Sequence, residues 1–340
     1  MKFRSLILVL AVVLPLFSAT VYAQDAGSAA HRLAKAGKFK EAAEAYKAAI
    51  AADPDDASNY TNLAWCQLEL KEYEAAVETA RTAVRLDPES YVAHSNLGWG
   101  LLNLGLTEDA IASFKASIAI NDQYDLAQNN LGFAYLKLGR DDDAVEQFKR
   151  TLLINPNHEK AYGNLVSIYF RTGKYREAAE TLERLTQMKP NEASNFSGLG
   201  AARMNMGEHE LAIQAFRQAV ILKPDDINNQ KNLGMAQMAA GRRDEAIATY
   251  KQALVIKPRD FDMLFHLGMA YNQTGRYDEA IAALKEALAV KPNGEYALMM
   301  LAQSYVSKGD RAAARELVPR LRELDENLAE ILLKTLGPVK

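Results

Sequence analysis

Prolines recur at Pro54, Pro88, Pro156, Pro190, Pro224, Pro258 and Pro292, each gap being 34 residues or twice 34, with Asp122 standing where the missing member would fall. Alanine keeps the same step at Ala42, Ala76, Ala110, Ala144, Ala178, Ala212, Ala246, Ala280 and Ala314. So does glycine at Gly37, Gly105, Gly139, Gly173, Gly207, Gly241, Gly275 and Gly309, with Lys71 as the exception. Three registers that agree over nine periods confine the chain to a stack of equal units. One such unit is too short to bury its own apolar face, so the units must cover one another.

Between successive prolines lie two apolar-periodic stretches of about a dozen residues each, the spacing of amphipathic helices. The glycine between them reads as a left-handed helix stop. The residue after each proline is often Asp or Asn (Asp55, Asn157, Asn191, Asp225, Asn293), which is expected to cap the next helix. Small Ala and Gly at fixed positions let the helices approach closely. After the ninth period, Leu328, Ile331, Leu332, Thr335 and Leu336 fall on one helical face, predicting a capping helix that Gly337-Pro338 ends.

These residues carry a resemblance to the tetratricopeptide-repeat (TPR) family, whose pattern is Leu-Gly one turn before Tyr, then Ala, an aromatic and Pro. The fourth repeat shows it with Leu131-Gly132, Tyr135, Gly139, Ala144, Phe148 and Pro156, and the eighth with Leu267-Gly268, Tyr271, Gly275, Ala280 and Pro292. The first repeat is weak in its first half, and the ninth lacks the proline and has Pro319 inside its second helix. The resemblance implies an all-α fold, a right-handed superhelical α-solenoid of about nine helix-turn-helix repeats with a C-terminal capping helix. The expected repeats are 24–56, 57–90, 91–124, 125–158, 159–192, 193–226, 227–260, 261–294 and 295–326, followed by a cap over 327–340.

Let each repeat be numbered from 1 so that its proline is 32. Positions 4, 7, 8 and 11 of the first helix carry the family pattern and form the packing face. At ~100° per residue, positions 2, 5, 6, 9, 12 and 13 lie roughly opposite, where a helix that only packed would be polar. From the second repeat onward position 9 reads Trp65, Trp99, Phe133, Ser167, Ala201, Met235, Met269, Gln303, and position 12 reads Leu68, Leu102, Leu136, Phe170, Met204, Met238, Asn272, Val306. The resemblance implies that this face lines a concave groove. A contiguous exposed apolar strip there would mark a binding surface; the alternative is that position 12 and part of position 9 pack between neighbouring first helices.

Position 6 reads Asn62, Asn96, Asn130, Asn164, Gly198, Asn232, His266, Met300. A carboxamide can donate to a backbone carbonyl and accept from a backbone N–H at once, so a row of them would grip an extended peptide without reading its side chains. The row is similar to the asparagine ladder in the TPR array of O-GlcNAc transferase. Its first four rungs span three steps of ~10 Å, which matches about nine residues of extended chain at ~3.3 Å each. The alternative is that these amides face water or bond a neighbouring helix. The candidate peptide-binding residues are therefore Asn62, Asn96, Asn130, Asn164 and Asn232 with Trp65, Trp99, Phe133 and Phe170. Met204, Met235, Met238, Met263, Met269, Met299 and Met300 crowd the last first-helices; thioethers suit adaptable surfaces and also fill gaps in cores.

The first 23 residues differ in kind. Lys2 and Arg4 precede an apolar run from Leu6 to Phe17, and Val21 and Ala23 form a small-residue cleavage site. This reads as a secretory signal over 1–23, with an uncleaved membrane anchor as the alternative; the run is shorter than the ~20 residues a span needs. Without it the chain holds 38 basic and 43 acidic residues, which gives no basic excess for nucleic acid. Cys66 is the only cysteine, so no internal disulfide is expected. The five histidines lack metal-ligand spacing, and no phosphate loop or nucleophile elbow is present. Lys160 at position 2 and Lys231 at position 5 are only fragments of the carboxylate clamp found in some TPR co-chaperones.

The expectation is a non-catalytic scaffold, periplasmic or secreted, holding a protein or peptide segment. It carries no cofactor, metal, nucleic acid or small-molecule substrate, and no stable membrane insertion once the signal is removed. The alternative is a structural module that docks folded partners or itself through its outer face or ends.

Overall fold

The structure, a computed structural model, describes residues 27–337. The expected signal at 1–23 lies outside the described residues. Helix α1 spans 27–35 and α2 spans Phe39–Ala52. From there the period is laid down as helices. The first helix of each pair spans Ala57–Glu69 (α3), Tyr91–Asn103 (α5), Asp125–Lys137 (α7), Glu159–Arg171 (α9), Ala193–Asn205 (α11), Ile227–Ala239 (α13), Phe261–Gln273 (α15) or Glu295–Lys308 (α17). The second spans Tyr73–Leu86 (α4), Thr107–Ile120 (α6), Asp141–Ile154 (α8), Tyr175–Met188 (α10), His209–Leu222 (α12), Arg243–Ile256 (α14) or Tyr277–Val290 (α16). In the last pair Pro319 divides the second helix into Arg311–Glu316 (α18) and Val318–Leu324 (α19), and Glu326–Leu336 (α20) follows. Among the described residues there is no strand. The helices pack in consecutive pairs, the arrangement of an α-solenoid.

The chain forms two compact units, divided between Ile168 and Tyr169 inside α9. The first unit buries Ala30, Ala42, Tyr46, Leu63 and Cys66 at its start and Phe114 and Phe148 further along. The second buries Ile213, Phe216 and Leu233 in one cluster, Tyr250, Met263 and Tyr271 in another, and Leu284, Leu298, Leu321 and Leu332 in a third.

The small residues at position 8 have a specific job. A Cβ on Gly132 would lie 2.9 Å from the Phe148 ring, and one on Gly234 would lie 2.4 Å from Tyr250. The aromatic of the second helix thus fills the space a side chain would take on the first, and the two helices close at that point. The turn glycines act as helix stops, with φ between 71° and 94° from Gly37 to Gly309. At Gly105 the closure is a Schellman motif: Gly105 N–H donates to Leu102 O at 3.2 Å and Leu106 N–H to Leu101 O at 3.0 Å. Lys71 takes the same turn at φ 62°, a conformation that strains a residue with a Cβ.

Two expectations need correction. The capping residue is the second after the proline, not the first: Asp56 accepts from Ser58 N–H, Asp226 from Asn228 N–H, Ser90 from Ala93 N–H and Asp260 from Met263 N–H. The residue before the proline explains the extra step. Asp53, Asp87 and Asn155 each turn a side-chain oxygen back onto the N–H two residues on, and so tie up the residue after the proline in an Asx turn. On α20 the buried stripe is Ala329, Leu332 and Leu336, whereas Ile331 is half-exposed and Thr335 exposed. Contact with α17, α18 and α19 settles the helix on this narrower face.

Candidate functional site

Because the N-terminal residue of every first helix is fixed in the repeat, the same positions face the same way along a unit. In the first unit the result is a groove of about 790 Å³ along α3, α5, α7 and the start of α9. It brings together Asn62, Asn96, Asn130, Asn164, Trp65, Trp99 and Phe133. It does not include Phe170 or Asn232, which belong to the second unit. Phe170 is half-buried with its ring edge-on to Tyr175 at 6.0 Å.

The four position-6 asparagines of the groove are half-buried and not equivalent. Asn96 Nδ2 donates to Thr61 O on the preceding first helix at 3.0 Å, so part of that amide is spent on holding α3 to α5. Asn130 Oδ1 accepts from Asn129 Nδ2 at 3.4 Å, leaving its N–H donors free. The alternative use of position 6, bonding a neighbouring helix, is therefore realised at Asn96. Each of these two amides keeps one half of its capacity: an acceptor at Asn96 and donors at Asn130.

The aromatic strip is held from below. Trp65 meets Phe39 edge-on at 5.5 Å, and Trp99 and Phe133 lie 6.1 Å apart with planes at 44°. All three remain partly exposed in the groove. Position 12 behaves differently: Leu68 and Leu102 are buried, while Leu136 is half-buried. It serves mainly to pack first helix on first helix.

Asn129 and Tyr124 are among the wall residues that were not candidates. Asn129, at position 5, is buried; its Oδ1 has no hydrogen-bond partner. Tyr124 occupies the residue before α7, the place of a small capping residue in other repeats. It packs edge-on against Tyr91 at 4.9 Å. Burial first, then Tyr91, hold its hydroxyl pKa above the usual phenol range. A bulky aromatic in a cap position was the one sequence signal for it.

The second unit has its own cavity of about 490 Å³, with Asn232, Met235, Phe261, Phe265 and His266 among its walls. His266 stands where the ladder would have asparagine. Its ring stacks on Tyr250 at 5.6 Å with planes 17° apart, and its Nδ1 has no hydrogen-bond partner. Burial depresses its pKa, partly opposed by Asp262. The methionines divide between the two roles: Met263 is core, and Met235 is exposed at the cavity. Asn272 is structural, donating to Ser304 Oγ at 2.8 Å.

A depressed histidine pKa means that below the ordinary value the unfolded chain binds the proton more readily than the folded one. The stability it supports is present above pH ~6.5 and is lost as pH falls through that value towards the folded pKa. His266→Asn should therefore melt with a shallower fall between pH 7.5 and pH 5.5 than the native chain. Parallel melting curves over that range would show that His266 titrates alike in both states.

Among the described residues no group of three or more His, Cys, Asp or Glu side chains could hold a metal ion, and no helix is long and apolar enough to cross a membrane. Cys66 is buried, and burial pushes its thiol pKa up to about 11, far from nucleophilic range. What the groove offers is amide hydrogen bonding beside aromatic surface.

A model of the cilia and flagella-associated protein 70 C-terminal domain matches residues 112–330, and a tetratricopeptide repeat model matches residues 28–91. A search of curated sequences finds no match. Among solved structures, the C-terminal part of a TPR repeat-containing protein from Cytophaga hutchinsonii superposes with TM-score 0.60 at 18% identity, covering 71% of this chain and 99% of that one. The MamA protein gives TM-score 0.46 at 23% identity over 53% of this chain and 97% of its own. By its paired helices, its 34-residue step and these family models, the chain belongs to the tetratricopeptide-repeat proteins, and its residues 112–330 to the family of the cilia and flagella-associated protein 70 C-terminal domain.

Proposed function

We propose that this protein is an exported, non-catalytic scaffold whose first-unit groove holds an extended peptide or partner segment. The tetratricopeptide fold by itself suggests protein interaction. The observation that carries the finer reading is the meeting of four asparagines with Trp65, Trp99 and Phe133 on one open groove. The export half rests on the basic, apolar and small-residue pattern of residues 1–23 and places the scaffold in the periplasm or outside the cell.

Magnitudes divide the work between amides and rings. A net hydrogen bond contributes ~0.5–1.5 kcal/mol, too little for a few amides to offset the ordering of a peptide. Aromatic residues in an interface are the usual anchors, at ~2 kcal/mol or more when truncated. Trp99→Ala should thus weaken partner binding by about thirtyfold or more, and unevenly between sequences, since a ring surface reads side-chain shape. Asn130→Ala should weaken it by about tenfold and evenly, since an amide would grip backbone. Asn96→Ala should also lower the melting temperature, because it removes the bond to Thr61 O. Titrating partner segments against all three variants tests this; normal binding by both Trp99→Ala and Asn130→Ala would remove the groove from consideration.

A second reading has its own support. Position 29 of the second helix carries Leu153 in the first unit and Ile221 and Val255 in the second, exposed by 83%, 64% and 82%. Apolar side chains so open to water suit docking of a folded partner through the outer face.

A further inference from the structure

The side chains that line the groove of the first unit carry charge at two opposite corners, while Lys137 of α7 holds its ammonium 5.8 Å from the centre of the Phe133 ring between them. Glu69 closes α3 at one corner, and Lys160 lies in the first turn of α9 at the other. Both side chains are exposed, and neither is engaged by another side chain among the described residues. His158 lies beside Lys160, and the walls between are asparagine, serine, aromatic and aliphatic side chains. Resting on the reading of this groove as a peptide site, we infer that it selects an extended segment with a basic side chain at one end and an acidic side chain at the other.

The geometry sets the length. From α3 to α9 there are three first-helix steps of ~10 Å, and from position 13 to position 2 a shift of ~17 Å along the helix axis. The diagonal is ~34 Å, or about ten residues of extended chain. A cation of the segment meets Glu69, an anion meets Lys160, and apolar side chains in between meet Trp65, Trp99 and Phe133. A segment with like charges at both ends faces repulsion at one corner whichever way it lies. Comparing like with opposite ends is therefore independent of chain direction.

The test uses three ten-residue peptides, acetylated and amidated, with a shared centre of alternating Leu and Ser. Their end residues are Lys and Asp, Lys and Lys, or Asp and Asp. Trp65 and Trp99 are the only tryptophans and both line the groove, so indole emission reports its occupancy. The Lys/Asp peptide should bind about threefold to thirtyfold more tightly than either other at low ionic strength, and the gap should narrow as salt is added. Glu69→Lys should transfer the preference to the Asp/Asp peptide, and Lys160→Glu to the Lys/Lys peptide. The variant carrying both changes should return it to Lys/Asp. Three equal affinities, or a preference that the charge reversals leave in place, would overturn the inference and leave the groove as a peptide site. No change of emission with any peptide would overturn the peptide site and the charge selection with it.

Discussion

Phe148→Ala is expected to destabilise the first unit by about 3–5 kcal/mol. The ring is fully buried, and it fills the space above Gly132, where even a methyl group would come within 2.9 Å of it. Gly132→Ala alone should cost about 1–3 kcal/mol through that clash, reduced by the ~1 kcal/mol that alanine gains over glycine in a helix. In the Phe148→Ala background the clash is gone and the methyl enters a cavity, so the same change should be neutral or stabilising. The two substitutions should therefore couple by about 0.5–3 kcal/mol. Because repeat arrays unfold in parts, hydrogen exchange in α7 and α8 is the proper measurement, with melting curves beside it. Additive effects would mean that the ring does not rest on Gly132.

Much of the fold was legible because the period over-determines it. Gly132 and Phe148 are 16 residues apart and recur as Gly98 with Phe114, Gly200 with Phe216 and Gly234 with Tyr250, so one contact rule serves four repeats. The turn glycines were legible for the same reason, and Lys71 shows that the turn, not the residue, is what the repeat imposes. What the period left open was how a polar side chain spends its hydrogen bonds. Asn96 and Asn130 occupy the same position, yet Asn96 donates to Thr61 O on the preceding first helix while Asn130 is bonded by Asn129 on its own helix. Asp55 and Asp56 are both good capping residues; the Asx turn made by Asp53 decides between them, and only the backbone path shows it. Tyr124 entered the groove from a position outside the helical pattern, where periodicity has nothing to say.

The groove and the core are set by one constraint. Positions 3, 7 and 10 of the first helices take the buried face, as Ala127, Leu131 and Ala134 do on α7. That fixes the rotation of each helix about its axis. Positions 6 and 9 then stay partly or fully exposed wherever the repeat is regular, whatever residues stand there. A substitution such as Asn130→Ala can therefore change what the groove offers without moving the helix that carries it. The exceptions are the side chains that also bond or pack sideways, Asn96 to Thr61, Trp99 to Phe133 and Leu68 towards Gly100.

Removal of Asn327–Lys340 should have the largest effect on the second unit. Leu332 and Leu336 are buried on α20, and each contributes about 1.5–3 kcal/mol by leaving water. Deleting them also uncovers Leu298 and Leu321, which are fully buried beneath the cap. The loss should reach about 3–6 kcal/mol from the two leucines alone. Arg315 also loses the carbonyl oxygens of Leu336 and Gly337 that it holds at 3.2 Å and 2.5 Å. Since each repeat leans on its neighbours, the damage should start at the end and fade inward. Amides of α17, α18 and α19 should exchange much faster, while those of α11 and α12 keep their protection. Leu332→Ala should reproduce the pattern at about 2–5 kcal/mol. Ile331→Lys, on the half-exposed side of the same helix, should stay within about 0.5 kcal/mol. If Ile331→Lys proved as harmful as Leu332→Ala, α20 would have to pack through the face first read from its sequence. If exchange rose equally in α11 and α17, the unit would unfold as one body and the account of stacked, neighbour-supported repeats would fail there.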